Sequence, residues 1–200
     1  NASTGFGINR SERDNGAYEL LFRECTVDEA AIDTKVPNLS IIPSSIDLSG
    51  AEIELIDASQ REARLKQALE KSKQNFDYVL FDCPPSLNLL TLNALVASNG
   101  VIVPLQCEFF ALEGVSHLVK TIERVKASFN PKLELQGIVL TMYDARNNLS
   151  LQVEEDVRSH FKDKVYKTVI PRNVRVSEAP SFGLPAIVYD MRCRGSQAYI

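Results

Sequence analysis

Short, continuous apolar runs recur along this chain and constrain its fold more than any other feature. Leu39–Ile42, Tyr78–Phe81, Val101–Leu105, Ile138–Met142 and Val165–Ile170 read as strands. Most are unbroken rather than alternating, the pattern of strands covered on both faces in a parallel sheet. Helical patterns lie between them. Ser59 with Glu62 has the form of a capping box ahead of Leu65, Ala68 and Leu69. Val115, Leu118, Val119, Ile122, Val125 and Phe129 mark one face of a long helix closed by Asn130 and Pro131. Val153, Val157 and Phe161 repeat that spacing. Strands alternating with helices of this length predict an α/β fold: a doubly wound, mostly parallel sheet with helices on both faces and right-handed crossovers.

Composition narrows the class. An apolar content of 44% and a net charge of −4 exclude disorder. A length of 200 residues supports one sizeable core, and without repeats or a low-complexity linker the prediction is a single domain over 1–200. No apolar run approaches the about 18 residues of a membrane-spanning helix. The opening NASTGFGINR is unlike a signal peptide. Cys25, Cys83, Cys107 and Cys193 form no CxxC pair and only two histidines accompany them, which argues against a zinc site or disulfide framework and for reduced thiols. The chain starts without Met and stops on what reads as the first turn of a helix, Gly195–Ile200, so the expectation is a piece of a longer protein.

Charge is uneven, at net −6 over residues 1–100 and net +2 over 101–200. Between 158 and 175, Arg158, Lys162, Lys164, Lys167, Arg172 and Arg175 face a single acid, Asp163. Such a stripe is either a polyanion-binding surface or an ordinary solvated face. Arg146, in the polar turn after an apolar run, and Arg175 are the positions with most interest, since arginine contacts to phosphate position a protein on DNA without reading sequence.

In wound sheets ligands sit at the carboxyl ends of the strands. That rule selects Asp82–Ser86, Gln106–Glu108, Tyr143–Arg146 and Pro171–Asn173. Asp82, at the end of Asp77-Tyr-Val-Leu-Phe-Asp82, has the form of a Walker B carboxylate that orients Mg²⁺ beside a nucleotide phosphate. Pro84 and Pro85 stiffen the loop that follows. No G-x-x-x-x-G-K-[ST] or G-x-G-x-x-G occurs, and Gly5-Phe6-Gly7 is too short for a phosphate cradle. Ser86 and His117 lack the G-x-S-x-G setting of a triad, which leaves His117 a structural or surface residue. Cys83 and Cys107 could share a crevice, although small buried thiols are the commoner use. Glu154 and Glu155 point to different parts of a helix surface.

Asp82-Cys-Pro-Pro-Ser-Leu87, Leu90-Thr-Leu-Asn-Ala-Leu95, Ala111-Leu-Glu-Gly114, Thr141-Met-Tyr-Asp-Ala-Arg146 and the run Ile170–Gly183 closely resemble the ParA/Soj chromosome-partition ATPases, a branch of the deviant-Walker-A P-loop proteins. The resemblance covers essentially the whole chain, and Asn1–Gly5 resembles the segment after the family's switch I. It implies a P-loop NTPase-like fold truncated at its N-terminus, with a strand, the phosphate loop, a helix and a second strand, roughly 40–45 residues in all, preceding Asn1 and the last helix continuing beyond Ile200. It implies ATP and Mg²⁺ as cofactors, Asp82 as catalytic and metal-orienting acid, and Pro84 and Pro85 as switch II. Pro171 and Asn173 would line the adenine, and Arg146 and Arg175 would bind DNA without sequence preference. The implied partners are a second copy in an ATP-dependent sandwich dimer, a ParB-type protein that stimulates hydrolysis, and DNA. The implied location is cytoplasmic and nucleoid-associated, with no membrane partner.

Competing readings are a MinD-like membrane-cycling ATPase, which needs an amphipathic tail, and a non-catalytic α/β interaction module. An iron–sulfur relative fits less well, because Cys83 and Cys107 do not reproduce that ligand context. The 200-residue chain by itself is expected to neither hydrolyse nor tightly bind ATP. Mg²⁺-dependent turnover by the purified chain would overturn the missing-loop reading.

Overall fold

The computed structural model describes residues 2–200; Asn1, the first residue of the segment likened to the switch I flank, lies outside them. The chain divides into two compact units, Asn1–Ala97 with Pro180–Leu184, and Ser98–Ala179 with Pro185–Ile200.

The first unit is built from short helices: α1 (Ala2–Gly5), α2 (Ala17–Phe22), α3 (Val27–Ala30), α4 (Ala51–Glu54), α5 (Arg64–Glu70) and α6 (Leu89–Ala97). Its strands β1 (Ile32–Asp33) and β2 (Ser40–Ile41) form a two-residue antiparallel ladder, pairing Ile32 with Ile41 and Asp33 with Ser40. The run Leu39–Ile42 is therefore a hairpin arm and not a strand of a parallel sheet. Its register is held by the Ser40 hydroxyl donating to Asp33 Oδ1 at 2.8 Å.

The expected capping box at Ser59 and Glu62 is replaced by a tertiary cap. Helix α5 begins at Arg64. Asn93 of α6, 1% exposed, accepts from the Leu65 N–H at 3.2 Å and donates to the Arg61 carbonyl at 2.7 Å. A buried amide satisfies the orphan groups of the helix start better than a serine four residues upstream could.

The run Tyr78–Phe81 forms no strand, and Tyr78 and Leu80 are each 86% exposed. A strand exists only where a second backbone takes its N–H and C=O groups, and no described segment pairs with this one. Asp82 is consequently not at a strand end in this structure.

The second unit is a β-α-β-α-β winding: β3 (Gly100–Gln106), α7 (Ala111–Ser128), β4 (Glu134–Tyr143), α8 (Asn148–Phe161) and β5 (Val165–Pro171), followed by α9 (Val174–Glu178), α10 (Ala186–Tyr189) and α11 (Arg194–Tyr199). The sheet is parallel in the order β3-β4-β5, as the alternation of runs and helices predicts. Val103, Ile138, Leu140 and Val165 pack with Val115 of α7 and Val153 and Val157 of α8 in one core. Successive right-handed crossovers in the same direction bring both helices to the same face. On the opposite face of the edge strand β3, Ile102 is 56% exposed.

Two glycines of the first unit touch backbone to backbone. Gly7 and Gly183 both have positive φ, at 77° and 63°. A Cβ on Gly183 would stand 2.7 Å from Gly7 Cα. Gly183→Ala is expected to cost about 1–3 kcal/mol in urea unfolding, from left-handed strain plus overlap. Gly114→Ala, on α7 where a Cβ meets nothing within 4 Å, is expected to stabilise by about 0.5–1 kcal/mol.

Candidate functional site

Asp82, Pro84 and Pro85 belong to the first unit, while Arg146, Pro171, Asn173 and Arg175 belong to the second. Asp82, Cys83, Pro84 and Pro85 are all exposed on a segment without regular secondary structure. That segment ends where the Asn88 side chain accepts from the Thr91 N–H at 3.0 Å, at the start of α6. Among the described residues no group of three or more His, Cys, Asp or Glu side chains could hold a metal ion, so Asp82 stands as a single carboxylate.

The second unit gathers its candidates at the carboxyl end of β4 and β5. Near the end of β4 the pairing with β5 shifts between Leu140 and Tyr143. Met142 there takes φ 52°, unusual for a side-chain-bearing residue. After this irregularity Tyr143 pairs with Pro171, and the Arg172 N–H donates to the Tyr143 carbonyl at 3.0 Å. The turn carrying Arg146 is thereby tied to the turn carrying Arg172, Asn173 and Arg175. Asn173 caps α9, its Oδ1 accepting from the Val176 N–H at 3.3 Å. Its amide NH₂ makes no hydrogen bond among the described residues.

Each principal arginine is held by an acid of its own chain. Asp144 takes Arg146 in a fork, Nε and Nη2 both at 2.9 Å, and also accepts the Arg146 N–H at 3.1 Å. The hydrogen bonds from the guanidinium and the backbone amide, together with the charges of Arg146 and Arg172, bring the Asp144 carboxyl down to about 2. Arg175 lies 3.1 Å from Glu178 and 3.7 Å from Asp190, and the Tyr189 hydroxyl sits 3.4 Å from the same Glu178 carboxylate. The Arg146 side chain is 90% exposed. Pairs this open contribute little to stability; their effect is to hold the guanidinium in place while leaving it open to another anion.

The basic stripe is not uniform. Arg158 is spent inside the fold: its Nε donates to Glu154 at 2.8 Å, and Nη1 and Nη2 reach the Tyr166 and Lys167 carbonyls at 3.0 and 3.2 Å. Lys164 reaches the Leu135 carbonyl at 3.1 Å. Lys162, Lys167 and Arg172 are exposed and form no ion pair among the described residues. Glu154 is a junction and not one of two idle surface acids. Its bond with Tyr143 pushes the phenol up to about 12. Burial pushes Glu154 up, but the bonds from Tyr143 and Arg158 outweigh it and the net shift is downward. Sequence spacing could not have revealed this link between α8 and the end of β4. Cys107 is buried, which pushes its thiol up, and Cys83 is exposed beside Asp82. His117 is exposed on α7, as expected.

Because the Asp144 carboxyl lies below its ordinary 3.8, the fork is intact at neutral pH and is lost as pH falls through about 2. A carbon-detected NMR titration is expected to give a midpoint near that value, moving up towards 3.8 in Arg146→Gln. An unchanged midpoint would mean that Arg146 does not hold Asp144.

An AAA domain family matches residues 1–135. Chromosome partitioning protein ParA of Caulobacter vibrioides is 59% identical over 202 residues, covering 100% of this chain and 76% of the relative. Sporulation initiation inhibitor protein Soj of Bacillus subtilis is 52% identical, covering 100% and 79%. Chromosome-partitioning ATPase Soj of Treponema pallidum is 48% identical, covering 100% and 78%. Among solved structures, cobyrinic acid a,c-diamide synthase of Mycobacterium smegmatis with bound ATP analogue and magnesium superposes with TM-score 0.85 at 36% identity, covering 98% of this chain and 73% of that one. The cell division ATPase MinD of Pyrococcus furiosus, at 22% identity and TM-score 0.77 over 98% of this chain and 76% of that one, shares the fold. The motifs, the parallel winding and these whole-length identities agree: the chain belongs to the ParA/Soj family of chromosome-partitioning ATPases.

Proposed function

We propose that the protein carrying this chain is a ParA-type partition ATPase. It binds ATP with Mg²⁺, forms a sandwich homodimer, and in that state holds DNA without sequence preference. A ParB-type partner stimulates hydrolysis and releases it. The observation that carries the DNA reading is the convergence of Arg146, Arg172 and Arg175 at one end of the sheet, tied by the Arg172 to Tyr143 backbone bond. Paired copies double the phosphate contacts, and each neutralised phosphate adds about 0.9 to the steepness with which affinity falls with salt.

The residues present fit the nucleotide in part. Asn173 offers an amide NH₂ beside Pro171 for the base, and Asp82 offers an open carboxylate to orient a magnesium-bound water, with Pro84 and Pro85 as the switch beside it. The nucleotide would supply the phosphoryl bond whose cleavage resets the protein. The phosphate cradle has no counterpart in these residues, so the chain alone would be inactive. The exposed run Tyr78–Phe81 would pair with the family's phosphate-loop strand, and 1–200 would form part of a single α/β ATPase domain, a reading supported by a family match that runs from the first unit into the second. The reading places the protein in the cytoplasm on the nucleoid. Identity of 59% to a ParA against 22% to a MinD favours DNA over a membrane surface, and no helix among the described residues is long and apolar enough to cross a membrane.

In the full-length protein, Arg146→Glu and Arg175→Glu are each expected to abolish ATP-dependent DNA retention while nucleotide binding is unchanged. The milder Arg146→Gln should lower the log–log salt slope by about 0.9 for each phosphate contact removed. DNA binding that survives both charge reversals would return the arginines to an ordinary solvated face. Asp82→Ala is expected to reduce hydrolysis at least about tenfold; full turnover would remove Asp82 from the site.

A further inference from the structure

Helices α2 and α5, with the turn entering α3, border an open cavity of about 110 Å³ in the first unit, on which Arg23, Thr26 and Lys71 are exposed. Arg23, Arg64 and Lys71 line it, and no acidic residue does. None of the three cations forms an ion pair among the described residues. Three carboxylates act on the Cys25 thiol of the cavity lining, those of Glu19, Glu29 and Glu24; Glu19 and Glu29 accept from the backbone amides of Gly16 and Thr26, both at 2.8 Å, and none of the three lines the cavity.

The cations are also oriented. Arg23 donates from Nη2 to Gln67 Oε1 at 2.6 Å, and Gln67 donates from Nε2 to Gln60 at 2.8 Å. Arg64 spends its Nε on the Ser59 carbonyl at 3.0 Å, leaving its two terminal nitrogens unspent. Arg23 occupies the left-handed region at φ 66° where α2 ends, a position where glycine is the unstrained choice. Burial and the charge of Arg23 both push the Arg64 guanidinium down. The two guanidiniums repel each other with no carboxylate on the lining itself, and an anion between them would reverse the sign of that interaction.

We propose that this cavity is a binding site for a phosphate group, either free or on a small phosphomonoester. Its volume of about 110 Å³ has room for a tetrahedral oxyanion, one water needing about 10–15 Å³ by the same measure. It is well below the about 300 Å³ at which pockets for larger ligands begin, so a nucleoside does not fit. Leu20 and Ala68 form an apolar wall on which the carbon end of an ester would rest. The site shares no residue with those assigned above to ATP or DNA and does not depend on that reading.

The test uses the full-length protein with ADP and Mg²⁺ saturating the nucleotide site, titrated calorimetrically with inorganic phosphate and separately with glycerol phosphate. One saturable site in the millimolar range or tighter is expected. It should weaken at least tenfold in Arg64→Gln and in Lys71→Gln, and persist in Lys66→Gln on the same helix. Saturation by both probes identifies the free phosphate group as sufficient, and saturation by glycerol phosphate alone identifies an ester. Absence of saturable binding, or equal binding in all variants, overturns the proposal. Thermal melting gives a second readout: phosphate should raise the Tm of the parent protein and not that of Arg64→Gln. An equal rise in both would also overturn it.

Discussion

The central strand of the parallel sheet has to satisfy hydrogen-bonding partners on both edges, and the placement of the second unit's candidate residues follows from that demand. β4 pairs with β3 along one edge and β5 along the other. Its registers on the two sides differ, with irregularities at Val101/Ile102 on the β3 side and between Leu140 and Tyr143 on the β5 side. The second of these turns Met142 into a left-handed backbone and lets Tyr143 meet Pro171. Without it the two arginine-bearing turns would be out of step, since a shift of one residue along a strand exchanges its faces. The core under α7 and α8 holds this arrangement rigidly, with Ile138, Leu140 and Val157 fully buried.

A second consequence concerns charge. The exposed end of the sheet carries arginines already matched to Asp144, Glu178 and Asp190. A polyanion approaching this surface meets oriented guanidiniums whose present partners are exposed and weakly bound. Arg158 shows the opposite use of the same side chain: it crosslinks α8 to β5 through carbonyls and a half-buried acid, and is lost to the surface. One stripe in the sequence thus contains structural cations and available ones.

The first unit is organised by local satisfaction of backbone groups. Glu19 and Glu29 each return to the amide that precedes their helix, at Gly16 and Thr26, and Asn93 serves a helix that is not its own. These caps engage two of the three carboxylates that act on Cys25, while Arg23, Arg64 and Lys71 on the same cavity form no ion pair among the described residues. The apolar segment before Asp82 is the exception to this economy. It presents Tyr78 and Leu80 to solvent because a strand cannot complete its hydrogen bonds alone.

By itself the sequence determined the alternation of elements from Val101 onward. Apolar runs of strand length and the 3.6-residue spacing of Val115, Ile122 and Val125 are local signals that burial then enforces. It also determined the family, because Asp82–Leu87, Thr141–Arg146 and Ile170–Gly183 are long enough to be specific. Only the tertiary structure decided that Asn93 starts α5 and that Glu154 links Tyr143 to Arg158. It alone separated the arginines that face outward from the one that ties the sheet. Those outcomes depend on which backbone or side chain arrives from a distant part of the chain, and neither propensity nor spacing carries that information.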